Sequence, residues 1–216
     1  MNVEELFCRH VHDLQPYEAP DWEGMAARAG IAPAGLVRLN ANENSFGPSP
    51  RALHALAQYE GYGLYPEYGA LERAVARYAG VAQETVVVGN GSDELIDLVV
   101  RLFVEPGEGC IICPPAFGSY TISTLAHRGQ VLNVPLKPDF TVDVEGIEAL
   151  VRAGDVAARP KLLFVTSPGN PDGQNVPLET IRRLLALPIA VVADQAYVEF
   201  GGESACLLYT SPSPRD

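Results

Sequence analysis

Positive charge is scarce in this 216-residue chain, which carries 15 lysine and arginine residues against 27 aspartate and glutamate, for a net charge of -12. Such a balance disfavours nucleic acid and anionic membrane surfaces as partners. Lysine is almost absent, with only Lys137 and Lys161 in the whole sequence. Long apolar runs are lacking too. None approaches the ~20 residues that span a bilayer, and the opening Met1-Asn2-Val3-Glu4-Glu5-Leu6-Phe7 has neither the basic start nor the apolar stretch of a secretory leader. A soluble cytoplasmic protein is expected. Cysteine is limited to four residues. Cys110 and Cys113 have Cys-x-x-Cys spacing, but strand residues three apart face opposite sides, and no second pair or nearby histidine completes a metal set. Buried reduced thiols are expected, and no metal. His10 and His12 lack accompanying ligands and read as solvated surface.

What is present is ample apolar content, 47% of residues, enough for a core. It comes in short runs, each followed by a polar cluster. Leu162-Leu163-Phe164-Val165 leads into Thr166-Ser167-Pro168-Gly169-Asn170-Pro171-Asp172-Gly173, and Ile189-Ala190-Val191-Val192-Ala193 leads into Asp194-Gln195-Ala196-Tyr197. The runs are too short for helices and do not alternate, as expected of strands buried on both faces. Between them, residues 177–187 read as a crossover helix with proline in its first turn. Two earlier segments repeat the arrangement. Thr85-Val86-Val87-Val88 is read as a strand running into Gly89-Asn90-Gly91-Ser92-Asp93-Glu94 and an amphipathic helix at 95–103, and Cys110-Ile111-Ile112-Cys113 runs into a loop carrying Phe117. Helices are also expected at 50–59, 69–78, 120–128 and 144–153, with a strand at 131–134. The fold class is α/β, a mainly parallel sheet with helices on both faces.

In such a sheet, ligands bind at the carboxyl ends of the strands. Gly89, Phe117, Asn170, Asp194 and Tyr197 are therefore expected around one cleft. Unpaired amides at the start of the 95–103 helix can hold a phosphate, Phe117 offers a ring, Asn170 an amide and Asp194 a carboxylate. Taken singly, each has a plainer explanation: a tight turn with Asp93 as helix cap, a β-turn at Asn170, a helix cap at Asp194, core packing at Phe117, amphipathic surface at Tyr65 and Tyr197. A dinucleotide-binding turn is disfavoured because Glu94 stands where the third glycine is needed. Together the parts suit pyridoxal phosphate, whose ring nitrogen a carboxylate keeps protonated.

The segments Leu39-Asn40-Ala41-Asn42-Glu43-Asn44-Ser45-Phe46-Gly47-Pro48-Ser49-Pro50, Tyr65-Pro66, Gly89 to Glu94, Asn170 to Gly173 and Asp194 to Tyr197 occur in an order and spacing that resembles the histidinol-phosphate aminotransferases, within the fold-type I pyridoxal-phosphate enzymes. The likeness covers about residues 36 to 201. It implies that backbone amides around Gly91 and Ser92, with Asp93 beside them, bind the cofactor phosphate and that Phe117 stacks on the ring. Asn170 and Tyr197 would bond the phenolic oxygen, Asp194 the pyridine nitrogen, and Tyr65 the phosphate of the other subunit's cofactor in a homodimer. Asn42 would lie near the substrates, a small-molecule amino donor and a 2-oxo acid. A related amino-acid aminotransferase or a phosphothreonine-type decarboxylase shares most of these residues.

Asp172 and Gln195 depart from the family's threonine and glutamate. The larger departure is that no Ser-Lys segment follows Tyr197, so the lysine that the resemblance implies should bond to the cofactor has no counterpart. The expected organisation is an N-terminal arm at 1–38, a partial cofactor-binding large domain at 39–203 and a non-native-looking tail at 204–216. A fragment of this kind is expected to be inactive by itself, binding cofactor at most without a covalent bond.

Overall fold

The computed structural model describes residues 3–14, 21–153, 158–206 and 208. Most of the tail expected at 204–216 lies outside these residues. Contacts divide the chain into two compact units, Glu18–Tyr68 and the remainder, Met1–Tyr17 with Gly69–Asp216.

The smaller unit contains α1 (Trp22–Ala29) and α2 (Pro50–Ala57). Asp21 caps α1 by accepting the Gly24 amide at 2.9 Å, and Ser49 caps α2, where Pro50 occupies a first-turn position that needs no amide donor. Arg38 lies 5.1 Å above the Trp22 ring and pairs with Glu43 at 3.1 Å.

The larger unit holds α3 (Gly69–Ala79), α4 (Gly91–Phe103), β1 (Gly109–Ile112), α5 (Gly118–Ala126), β2 (Gln130–Asn133), α6 (Val144–Arg152), β3 (Pro160–Thr166), α7 (Leu178–Leu185) and β4 (Ala190–Asp194). The strands form one all-parallel sheet in the order β2-β1-β3-β4. Its two faces are both apolar because neighbouring residues on a strand point to opposite sides. Cys110, Ile112, Leu162 and Phe164 pack with Ile96 and Val100 of α4 and Tyr120 of α5. Ile111, Cys113, Leu163 and Val165 pack with Val144 and Ile147 of α6 and Leu184 of α7. Cys110 and Cys113 thus belong to opposite cores, as their spacing requires, and both are buried and free of disulfides.

The crossover through α5 leads outward from β1 to β2, while α6 and α7 on the opposite face lead back to β3 and on to β4. Opposite faces for opposite directions give every crossover the same hand, as the right-handed rule for parallel strands requires. The direction reverses between β1 and β3, and this is where a ligand crevice opens in an open parallel sheet. Gly129, just before β2 at the opposite, amino-terminal edge of the sheet, allows the close approach of the end of α5 to Val104. A Cβ there would stand 2.9 Å from Val104 Cγ1 and 3.1 Å from the Thr124 carbonyl oxygen.

One expected strand is absent. Residues Val86–Val88 follow a short 3-10 turn at Gln83–Thr85 and run extended into α4 without joining the sheet, and Val87 is 71% exposed. An apolar run becomes a strand only where a neighbour satisfies its backbone groups, and none of the described strands lies beside it.

Candidate functional site

Six of the expected site residues meet at one place. Ser92, Asp93, Phe117, Asn170, Asp194 and Tyr197 line a cavity of about 230 Å³, together with Tyr120, Thr166 and Ala196. They come from four segments of sequence, and each is positioned by a distinct local device.

At the start of α4 the chain turns through Gly91, whose φ of +75° lies in the left-handed region that glycine tolerates. The cap position falls on Asn90, not on Asp93, and no side chain occupies the first helical amides. Glu94 instead reaches back, accepting from the Asn90 amide at 2.5 Å and its side-chain nitrogen at 3.1 Å. The Gly91 amide is taken by the Gly89 carbonyl at 3.0 Å, but no side chain caps the start of this 13-residue helix, whose Ser92 and Asp93 line the cavity, and a helix start of this kind can hold an anion.

Phe117 directly precedes α5 and meets Tyr120 edge to face, with ring centroids 5.8 Å apart. Tyr120 in turn stacks on Phe164 at 4.4 Å. Asn170 is carried by a loop that closes on itself: the Gly169 amide donates to the Gln174 carbonyl at 2.8 Å, and the Gln174 amide to Asp172 Oδ1 at 2.7 Å. Asp172 therefore works as the turn residue behind Asn170. The peptide bonds before Pro115, Pro168 and Pro171 are cis.

Asp194 ends β4 opposite Thr166, the end of β3, in parallel register. The Ser167 amide continues the ladder by donating to the Asp194 carbonyl at 2.9 Å, and Ser167 Oγ accepts the Val176 amide at 3.0 Å. The Asp194 carboxylate accepts the Ala196 amide on Oδ1 at 3.0 Å and the Tyr120 hydroxyl on Oδ2 at 2.6 Å. Burial, followed by the charge of Asp194 and the hydrogen bond to it, pushes the Tyr120 phenol well above its ordinary value of 10.0. Gln195 uses both ends of its amide, donating to the Glu203 carbonyl at 2.7 Å and accepting the Ala205 amide at 2.8 Å. A glutamate has no donor for the first of these bonds when ionised.

The remaining expected residues stand elsewhere. Gly89 and Gly91 flank the turn into α4 without lining the cavity. Tyr65, 96% exposed, and Asn42, at φ +52°, belong to the smaller unit. Neither lysine serves the cavity. Lys161 pairs with Glu108 at 3.6 Å near the start of β3, and Lys137 pairs with Glu145 at 3.2 Å beside α6. Two cavity residues, Tyr120 and Thr166, were not singled out from the sequence for a role. A second cavity of about 170 Å³, which shares Thr166 and Asn170 with the first, is lined by Leu136, Phe140, Val142 and Val176 and receives none of the α4 first turn. Among the described residues no cluster of histidine, cysteine, aspartate or glutamate could hold a metal ion.

The donor set has a definite chemistry: an amide cradle for an anion, an aromatic wall, an amide and a phenol, and a carboxylate with two of its lone pairs already satisfied. It fits a phosphate-bearing heteroaromatic ring with a basic nitrogen. The comparisons point the same way. Residues 34–212 match aminotransferase class I and II, and the chain belongs to that family. The histidinol-phosphate aminotransferase of Nicotiana tabacum chloroplasts is 40% identical over 202 residues, covering 92% of this chain and 48% of the relative. That of Roseiflexus castenholzii is 41% identical over 222 residues, covering 98% of this chain and 58% of the relative. The crystal structure of histidinol-phosphate aminotransferase from Sinorhizobium meliloti in complex with pyridoxal-5'-phosphate superposes with a TM-score of 0.75 at 29% identity, covering 89% of this chain and 51% of that one. The chain spans about half the length of the relatives it matches.

Proposed function

We propose that this chain is the greater part of the cofactor-binding domain of a pyridoxal-phosphate-dependent aminotransferase that exchanges an amino group between histidinol phosphate and 2-oxoglutarate in histidine biosynthesis. The observation that carries the reading is the single cavity collecting Ser92, Asp93, Phe117, Asn170, Asp194 and Tyr197 from four segments. The substrate comes from the name shared by the relatives at about 40% identity.

In this reading the α4 first turn, with Gly91, Ser92 and Asp93, holds the cofactor phosphate. Phe117 covers the ring, Asn170 and Tyr197 bond its phenolic oxygen, and Asp194 holds a proton on the ring nitrogen. When bound, pyridoxal phosphate supplies an electron-accepting ring for the substrate's α-carbon. Asn42 would face the substrate, and Tyr65 would reach the cofactor phosphate of a second copy in a homodimer, with residues 1–38 as an arm, 39–203 as the partial domain and 204–216 as a non-native-looking tail. Among the described residues no helix is long and apolar enough to cross a membrane. We place the protein in the cytoplasm, where free thiols such as Cys110 and Cys113 are kept reduced.

The lysines favour a second reading for these 216 residues in isolation, a cofactor-binding unit without turnover. Lys161 stands five residues before Thr166, ~17 Å along the strand at ~3.3 Å per residue. Titration with pyridoxal phosphate is expected to show reversible binding, weakened about tenfold or more by Asp194→Asn, roughly the loss of one charge-assisted hydrogen bond. Borohydride reduction followed by mass spectrometry should find no modified lysine, and histidinol phosphate with 2-oxoglutarate should give no sustained turnover. Stoichiometric labelling of one lysine together with turnover would overturn the second reading. Absence of binding at millimolar cofactor would overturn the first. A protein carrying this sequence at its relatives' length should prefer histidinol phosphate over aspartate by kcat/KM, and a preference for aspartate would remove the substrate assignment.

A further inference from the structure

Asp194 is held by more than its own strand end. Its Oδ1 takes a local hydrogen bond from the Ala196 amide, but its Oδ2 is held at 2.6 Å by a hydroxyl 74 residues away in sequence, that of Tyr120. The same hydroxyl lies 2.9 Å from Thr166 Oγ1. An ionised carboxylate only accepts, and a phenol has one proton. Once that proton points at Asp194, the phenol oxygen is left to accept from Thr166. The bonds therefore run in one direction, from Thr166 to Tyr120 to Asp194.

The tyrosine is itself fixed. It is 1% exposed, stacks on Phe164 with the ring planes 7° apart, and meets the Phe117 edge at 88°. Its hydroxyl does not move without disturbing two other rings. Thr166 and Asp194 are partners across adjacent strands, so the phenol spans the seam between β3 and β4 at the mouth of the cavity.

We propose that Tyr120, braced by Phe164 and oriented by Thr166, is a positioning residue that fixes the Asp194 carboxylate in the orientation from which it pairs with the ring nitrogen of the cofactor. The proposal rests on the reading of the cavity as a pyridoxal-phosphate site. With its ionisation pushed up by burial and by Asp194, the phenol stays a donor throughout the neutral range.

Removing the hydroxyl has two effects of opposite sign, and these separate positioning from simple charge tuning. Losing a donor makes a carboxylate more basic, which by itself holds a proton on the ring nitrogen more tightly. Losing an anchor lets the carboxylate turn away from the ring, which releases that proton at lower pH. Positioning requires the second effect to win.

The test uses the full chain and pyridoxal phosphate labelled with 15N at the ring nitrogen, whose chemical shift reports protonation as pH is varied. Tyr120→Phe keeps both ring contacts. It is expected to lower the pH of ring deprotonation by about one unit, the size of a modest change in charge pairing, and to weaken binding about tenfold. Thr166→Val should give a smaller shift in the same direction, and Asp194→Asn the largest. An unchanged or raised deprotonation pH in Tyr120→Phe, while Asp194→Asn still lowers it, overturns the positioning role and leaves the cofactor reading standing. No effect of Asp194→Asn overturns the cofactor reading itself. In the unliganded chain, the Tyr120 hydroxyl proton should be protected from solvent exchange and lose that protection in Asp194→Asn. Equal exchange in both proteins would refute the proposal independently of cofactor binding.

Discussion

Phe164 links the stability of the sheet to the geometry of the cavity, and replacing it tests both. The residue is 2% exposed at the centre of β3, packs in the core with Ile96, Val100 and Leu162, and carries the Tyr120 ring on its face at 4.4 Å. Phe164→Ala removes the ring and leaves a cavity between β3 and α5, a change that costs about 3–5 kcal/mol. For a chain of this size that corresponds to a fall in melting temperature of roughly 6–20 °C. Phe164→Leu retains most of the apolar volume and gives up mainly the aromatic pair, about 0.5–1.5 kcal/mol beyond area burial. Urea unfolding followed by circular dichroism should rank stability as the unsubstituted chain first, then Phe164→Leu, then Phe164→Ala. Tyr120 also loses its brace, so under folding conditions cofactor affinity should fall in both variants, more in Phe164→Ala. A loss below about 1 kcal/mol for Phe164→Ala would refute the packing argument, since it falls short of the range for a filled core site.

Two further predictions concern charge and thiols. Glu145, at the start of α6, is held down to about 2 by its backbone hydrogen bond and then by Arg183 and Lys137. A carboxylate depressed on folding contributes stability above its unfolded value near 4.5, and that contribution is lost as pH falls toward 2. Glu145→Gln should therefore flatten the acid limb of the melting-temperature profile in that window, and an unchanged limb would exclude this network. Burial pushes the Cys110 and Cys113 thiols up to about 11 and about 12. In native protein at pH 8, a thiol reagent should modify Cys8 and Cys206 quickly and the buried pair only after denaturation. Rapid reaction of Cys110 would mean that the α4–α5 face of the sheet opens.

Much of the architecture was legible because it follows from local patterns. The runs at 162–165 and 189–193 are apolar without alternation, which marks strands; β3 is buried between the two cores, whereas β4, at the end of the described sheet, is only half-buried on both sides. The polar clusters that follow them reach the cavity for the same reason, since a parallel sheet collects every strand's carboxyl end on one edge. Val86–Val88 shows the limit of local pattern: its residues favour a strand, but pairing depends on a neighbour that a single segment cannot reveal. Tyr120 shows a different limit. On α5 it reads as an ordinary core aromatic, and its bond to Asp194 joins residues 74 positions apart. The nearest available signal was its place three residues after Phe117, one helical turn from a ring already assigned to the cavity. Thr166 was visible only as the first residue of a turn motif, and its partnership with Asp194 depends on the β3–β4 register.

The most direct measurement of the central claim is a map of backbone amide chemical shifts in the 15N-labelled chain during titration with pyridoxal phosphate. The shifts should saturate together and cluster at Gly91 to Asp93, Phe117, Asn170 and Asp194 to Tyr197. Inorganic phosphate alone should reproduce only the changes at the α4 start. Shifts centred instead on Leu136, Phe140 and Val176, or scattered without saturation, would contradict the assignment of the cavity at the carboxyl edge of the sheet.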